Sequence, residues 1–138
     1  MNIAKYKGLN THRQNYEYVG FPYNWEYQGA QGNRRKVVFL GNDFRNMPYA
    51  DMAEYVRLTN LCLNYVREHC KGLILYYKPH PAETDEFTML NLEGFELIKE
   101  KNNAEIFLYQ NRDDIKYVFS ASSWASAAAF SFGISSYV

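Results

Sequence analysis

The chain has 138 residues, enough for one domain with a proper core and too few for two. Its 15 basic and 15 acidic residues cancel, which removes the electrostatic case for a nucleic-acid partner. The opening stretch, MNIAKYKGLNTHRQNY, has none of the apolar core that a signal peptide needs.

Residues 1–33 are polar, tyrosine-rich and dotted with glycine, and they close on QGAQGNRRK. They read as a linker or lead-in to a domain spanning 34–138. Tyrosine is abundant throughout, with 13 copies, and its amphipathic ring suits strands as well as a partly wet interface. KVVFLGND, Lys36 to Asp43, is an apolar strand closed by Gly41. In the following MPYADMAEYVRLTNLCLNYVREHCKG, Met52, Val56, Thr59, Leu63, Val66 and Cys70 recur at spacings of four and three. That period places them on one helical face, with Thr59 as its one polar member. Lys71-Gly72 is predicted to stop the helix, a basic residue ahead of a glycine at C′. Cys62 and Cys70 then lie about 12 Å apart along the helix, too far for a disulfide, so reduced packing cysteines and a cytoplasmic setting are expected. Two cysteines without a histidine at ligand spacing make no zinc site.

LILYYKPHP, Leu73 to Pro81, is the second strand. TDEFTMLNL is predicted to be a short helix capped by Thr84. GFELIKE gives a third strand, NAEIFLYQNRDD a short helix and IKYVFS a fourth strand. SSWASAAAFSFG is a further helix stopped by Gly133, and ISSYV begins a fifth strand. The run from Tyr117 to Val138 carries no charge, but its seven serines and Gly133 argue for a buried strand, helix and strand over a membrane span. Strands alternating with helices predict an α/β fold, a Rossmann-like doubly wound parallel sheet. The chain ends inside its last strand, with no covering helix, which reads as a truncated unit.

Open parallel sheets bind ligands beyond the carboxyl ends of their strands. Gly41 and Asn42, the Lys78-Pro79-His80-Pro81 run, the Ser120 to Ser123 segment and the Lys101 to Glu105 rim all map to that edge. Ser122 or Ser123 is placed as N-cap of the last helix, where free N–H groups and hydroxyls favour an anion. Pro79 and Pro81 hold Lys78 and His80 extended, which restricts where both side chains aim and suits a proton donor beside a phosphate. Asp113 and Asp114 precede a strand, at the opposite edge, and read as a solvated turn rather than a metal site.

The KPHP run after an apolar strand, followed some forty residues later by SASSWASAAAFSFG, resembles the His-Pro and Ser-Ser motifs of bacterial sialyltransferases. The likeness is greatest to the polysialyltransferase and lipooligosaccharide sialyltransferase groups, over residues 36–138. It implies one half of a GT-B fold, the carboxyl-terminal domain that binds a CMP-activated sugar, and a role in making capsule or lipooligosaccharide. His80 would contact the CMP phosphate and assist its departure, and Ser122 and Ser123 would bind the same phosphate. Lys78 would lie near the cytosine, Glu105 would reach the ribose hydroxyls, and Pro81, Gly41 and Asn42 would line the donor site. No metal or other cofactor is implied.

The family's amino-terminal acidic motif, Asp/Glu-Asp/Glu-Gly, has no counterpart here: Asp113-Asp114 runs into Ile115 and Asp85-Glu86 into Phe87. The acceptor-binding domain is therefore expected outside these residues, and the chain alone should bind CMP weakly and not turn over. A glycan or glycolipid acceptor would engage that other domain, at the cytoplasmic face of the inner membrane. Two other readings share these residues. One is a Kdo or CDP-glycerol transferase domain; the other, of a different class, is a non-catalytic α/β interaction module with a buried His80 and serines that only cap.

Overall fold

The computed structural model describes residues 33–43, 51–83, 89–121 and 124–138. Five strands form one sheet in the order β3-β2-β1-β4-β5: β1 (Lys36–Leu40), β2 (Ile74–Lys78), β3 (Phe95–Leu97), β4 (Ile115–Ser120) and β5 (Ser135–Tyr137). Every pairing is parallel. Three helices connect them: α1 (Met52–His69), α2 (Ala104–Gln110) and α3 (Trp124–Ser131). The predicted α/β sheet is therefore present, with the strand order of a doubly wound fold. Residues 1–32 of the lead-in and residues 84–88 of the predicted TDEFTMLNL helix lie outside the described residues, and the rest of that predicted helix, 89–92, is not α-helical.

Alternation along β1 decides the layering. Val37 and Phe39 point to one face, where they join Leu63 and Val66 of α1 and Cys70 just after it. Val38 and Leu40 point to the other, against Leu108 of α2 and Ala125, Ala128 and Ala129 of α3. Because both faces of the central strand are covered, its sequence is continuously apolar rather than alternating. Each fully buried Leu or Val contributes about 1.5–3 kcal/mol to the folded state.

β4 departs from strict alternation. Lys36 pairs with Ile115 but Val37 pairs with Tyr117, so Lys116 is an extra residue in the ladder. This bulge lets Ile115 and Val118, three apart, both face α2 and α3, while Tyr117 and Phe119 face the α1 side. The Asp114 carbonyl holds the bulge by accepting from the N–H groups of both Arg35 and Lys36. Its carboxylate pairs with Lys36 Nζ at 2.9 Å in solvent, so this pair of aspartates is the exposed turn that the sequence predicts.

Helix α1 begins at Asp51, whose side chain accepts from Ala53 N–H at 3.0 Å, and carries Glu54 in its first turn and Arg67 and His69 in its last. Thr59, Leu63, Val66 and Cys70 of the predicted stripe are buried, and Cys62 is exposed. The C-cap is Cys70, so Gly72, with φ +81°, serves the turn that follows rather than the C′ position. Gly133, with φ +75°, ends α3 as expected. Among the described residues no helix is long and apolar enough to cross a membrane.

Candidate functional site

The order β3-β2-β1-β4-β5 reverses direction at β1, which separates the strands reached first from those reached last. The crevice of a doubly wound sheet lies at that reversal, beyond the carboxyl ends. Leu40 at the end of β1 is in register with Lys78 of β2 on one side and with Ser120 of β4 on the other. With neighbouring strands about 4.8 Å apart, the last residues of β2 and β4 lie about 10 Å from each other across β1. The KPHP run and the start of the serine segment thus leave the sheet on one edge, flanking Gly41 and Asn42.

The KPHP segment is closed by its own hydrogen bonds. Gly41 N–H donates to the Lys78 carbonyl at 2.8 Å, which extends the β1–β2 ladder by one rung. The chain then turns over His80, Pro81, Ala82 and Glu83, with the Glu83 N–H donating to the His80 carbonyl at 2.8 Å. Pro81 occupies the second position of this β-turn, where its fixed φ is favourable. The Ala82 N–H donates to His80 Nδ1 at 3.1 Å. An Nδ1 that accepts a backbone hydrogen carries no proton itself, so the hydrogen of the neutral ring sits on Nε2. Half-buried His80 therefore offers an oriented N–H donor at the strand edge.

Glu83, which no motif in the sequence singles out, secures this turn. Glu83 Oε1 accepts from the His80 backbone N–H at 2.9 Å, and Oε2 accepts from the Tyr77 hydroxyl at 2.8 Å. The carboxylate lies directly over Gly41: a Cβ on that residue would stand 1.8 Å from Glu83 Oε1 and 2.7 Å from the Tyr77 hydroxyl oxygen. The bare side of Gly41 is thus filled by Glu83. Tyr77 is fully buried, and burial, reinforced by Glu83 and Tyr55, drives its hydroxyl far above the usual tyrosine range, so it stays a donor. Tyr55 from α1 neighbours Thr59, Tyr77 and the Asn42 backbone, and burial raises its hydroxyl too, with the Glu83 charge adding to the effect. Tyr55, Tyr77 and Glu83 join α1, the end of β1, the end of β2 and the turn into one polar cluster. The spacing His-Pro-Ala-Glu was the available signal, because a carboxylate three residues after a turn's first position can reach back to that residue's N–H, as in a capping box.

The other predicted residues fall as follows. Lys78 is only 3% exposed; its ammonium donates to the Glu100 carbonyl at 2.9 Å and lies 5.4 Å from the Phe107 ring centroid. Burial lowers its pKa, partly offset by Glu100. Its charge is thus held on the α2 side of the sheet. Glu105 sits half-buried in the first turn of α2, and Asn42 is buried at the end of β1. Ser122 and Ser123 lie outside the described residues. Their neighbours Ser120 and Ser126 are buried, with hydroxyl oxygens 2.5 Å apart, which fastens the first turn of α3 to the end of β4. That contact brings the amino end of α3, and the positive end of its dipole, to the same edge as His80.

On the opposite side of β4 and β5, Phe39, Tyr65, His69, Tyr117, Phe119 and Tyr137 line an apolar groove of about 600 Å³. Phe119 and Tyr137 stack there with ring centroids 5.1 Å apart. Among the described residues no cluster of His, Cys, Asp or Glu is suited to hold a metal. No protein-family model matches the chain, and neither do the curated proteins or the solved structures compared with it.

Proposed function

We propose that this chain is the nucleotide-binding domain of a glycosyltransferase that uses a CMP-activated sugar, of the sialyltransferase kind, in surface-polysaccharide or lipooligosaccharide synthesis. The observation that supports this reading is that two elements suited to an anion leave the sheet at the same edge. The His80 Nε2–H stands at the end of β2, and the amino end of α3 stands at the end of β4, either side of the topological switch point. A phosphate between them would receive one directed hydrogen bond and the positive end of a helix dipole.

In the transfer, the bond from the anomeric carbon to the CMP phosphate oxygen breaks while an acceptor hydroxyl oxygen bonds to that carbon. The electron pair of the broken bond leaves on CMP, and the acceptor proton passes to a base supplied by the other half of the enzyme. What this domain does is favour the departing phosphate: His80 donates to it, and the α3 start and the serines before it neutralise its growing charge. Catalysis of this sort is charge stabilisation and positioning.

Calorimetric titration with CMP tests the reading. Wild-type protein should bind weakly, and His80→Ala should weaken binding about tenfold or more, as expected for loss of one hydrogen bond to a charged group. Ser123→Ala should weaken it as well. Absence of binding, or equal binding by all three proteins, overturns the proposal. A donor panel of CMP-sialic acid, CMP-Kdo and CDP-glycerol on an enzyme containing this domain separates the cytidine-nucleotide alternatives. The aromatic groove over β4 and β5 favours a second reading, a non-catalytic interaction module, and silence toward CMP would leave that reading standing.

A further inference from the structure

We propose that Glu83 is a positioning residue for His80, and that Gly41 is glycine in order to admit its carboxylate. The inference rests on the assignment of His80 to the donor phosphate. A carboxylate so near an anion site is electrostatically unwelcome, because like charges disfavour one another at short range. Its place needs another reason, and the contacts supply one. Both oxygens are engaged by the protein, Oε1 on the His80 N–H and Oε2 on the buried Tyr77 hydroxyl. The first bond fixes the backbone at the head of the turn. That turn in turn aims the Ala82 N–H at His80 Nδ1, the contact that sends the ring hydrogen to Nε2. The second bond anchors the turn to β2, since Tyr77 is a fully buried residue of that strand. Glu83 acts on the ligand only through His80.

Two measurements on the full chain test this. Ring nitrogen NMR of His80, which needs no ligand, should show one tautomer, hydrogen on Nε2, in the wild type. Glu83→Ala should give a tautomer mixture, and Glu83→Gln, which still accepts from the His80 N–H, should restore most of the wild-type signal. Tyr77→Phe, which leaves the buried ring but removes the anchoring hydroxyl, should lie between, and it substitutes for Glu83→Ala should that variant not fold. The second measurement is CMP affinity as a double-mutant cycle. Glu83→Ala should weaken binding about tenfold in the wild-type background and by less than about twofold in His80→Ala, because contacts that act through one group are not additive. An unchanged His80 tautomer in Glu83→Ala, or equal losses in both backgrounds, overturns the inference. Where CMP fails to bind at all, the functional assignment falls while the tautomer spectra still decide the role of Glu83.

Discussion

Gly41→Ala separates two opposite expectations and so measures the brace directly. Gly41 is not among the glycines with positive φ, so alanine is conformationally allowed there. A glycine-to-alanine change at an allowed position should stabilise the protein by about 0.4–1 kcal/mol through the unfolded chain. The structure says otherwise, because the new Cβ would meet Glu83 Oε1 at 1.8 Å and Glu83 Cδ at 2.8 Å. The carboxylate is the free end of a flexible side chain and can swing away at small steric cost, whereas the Tyr77 hydroxyl oxygen, 2.7 Å from the new Cβ on a fully buried ring, must also shift. Swinging away breaks its bonds to the His80 N–H and the Tyr77 hydroxyl. Hydrogen bonds to a charged group contribute about 1.5–3 kcal/mol each, and Tyr77 keeps Tyr55 as a fallback partner, so about 2–4 kcal/mol is lost in total. The net expectation is destabilisation by about 1–3 kcal/mol in urea unfolding. In a background already carrying Glu83→Ala the contact with the carboxylate is gone and only the Tyr77 hydroxyl oxygen, 2.7 Å from the new Cβ, still opposes it, so Gly41→Ala should cost less there than in the wild-type background. A single variant that gains stability would refute the reasoning.

Lys78→Met should be at least as stable as the wild type at pH 7, since burial disfavours the ammonium and methionine fills the same stem. The folded-state pKa of Lys78 lies below its unfolded value near 10.5, so the unfolded chain binds the extra proton between the two. Wild-type stability relative to Lys78→Met should therefore rise as pH climbs toward 10.5, and parallel pH profiles would contradict the burial. A thiol reagent should modify exposed Cys62 quickly and Cys70 only on unfolding, because burial raises the Cys70 thiol; two fast thiols would count against the α1 packing. Asp114→Asn should change stability by less than about 0.5 kcal/mol, because it removes one solvent-exposed ion pair and leaves the carbonyl that holds the bulge. Leu63→Ala, at a fully buried site facing β1, should cost about 2–5 kcal/mol by the same unfolding assay.

Much of the fold is written in periodicities that survive without tertiary information. The stripe from Val56 to Cys70 marks the face of α1 that meets the sheet, and the apolar run of β1 marks a strand covered on both sides. The strand and helix after Asn111 fall where IKYVFS and the serine-alanine run place them. The β4 bulge is illegible in sequence, because it appears as Ile115 and Val118 sharing a face, which a two-residue period forbids. Within the candidate site, the shared edge of the KPHP run and the serine segment follows from the parallel topology. The chemistry of individual side chains does not follow from it. Lys78 occupies the last position of its strand, where alternation sends it to the α2 side and onto the Glu100 carbonyl. Glu83 belongs to no motif that marks it, and Gly41 looks like a strand terminator. Their meeting depends on the β1–β2 register, a contact between residues 42 apart in sequence.

A crystal structure with CMP tests the central claim most directly. The account predicts the phosphate at the carboxyl edge of the sheet, between β2 and β4, with an oxygen at about 2.7–3.2 Å from His80 Nε2 and within reach of the first N–H groups of α3. CMP lodged instead in the aromatic groove over β4 and β5, or a phosphate that leaves His80 Nε2 without contact, would contradict it.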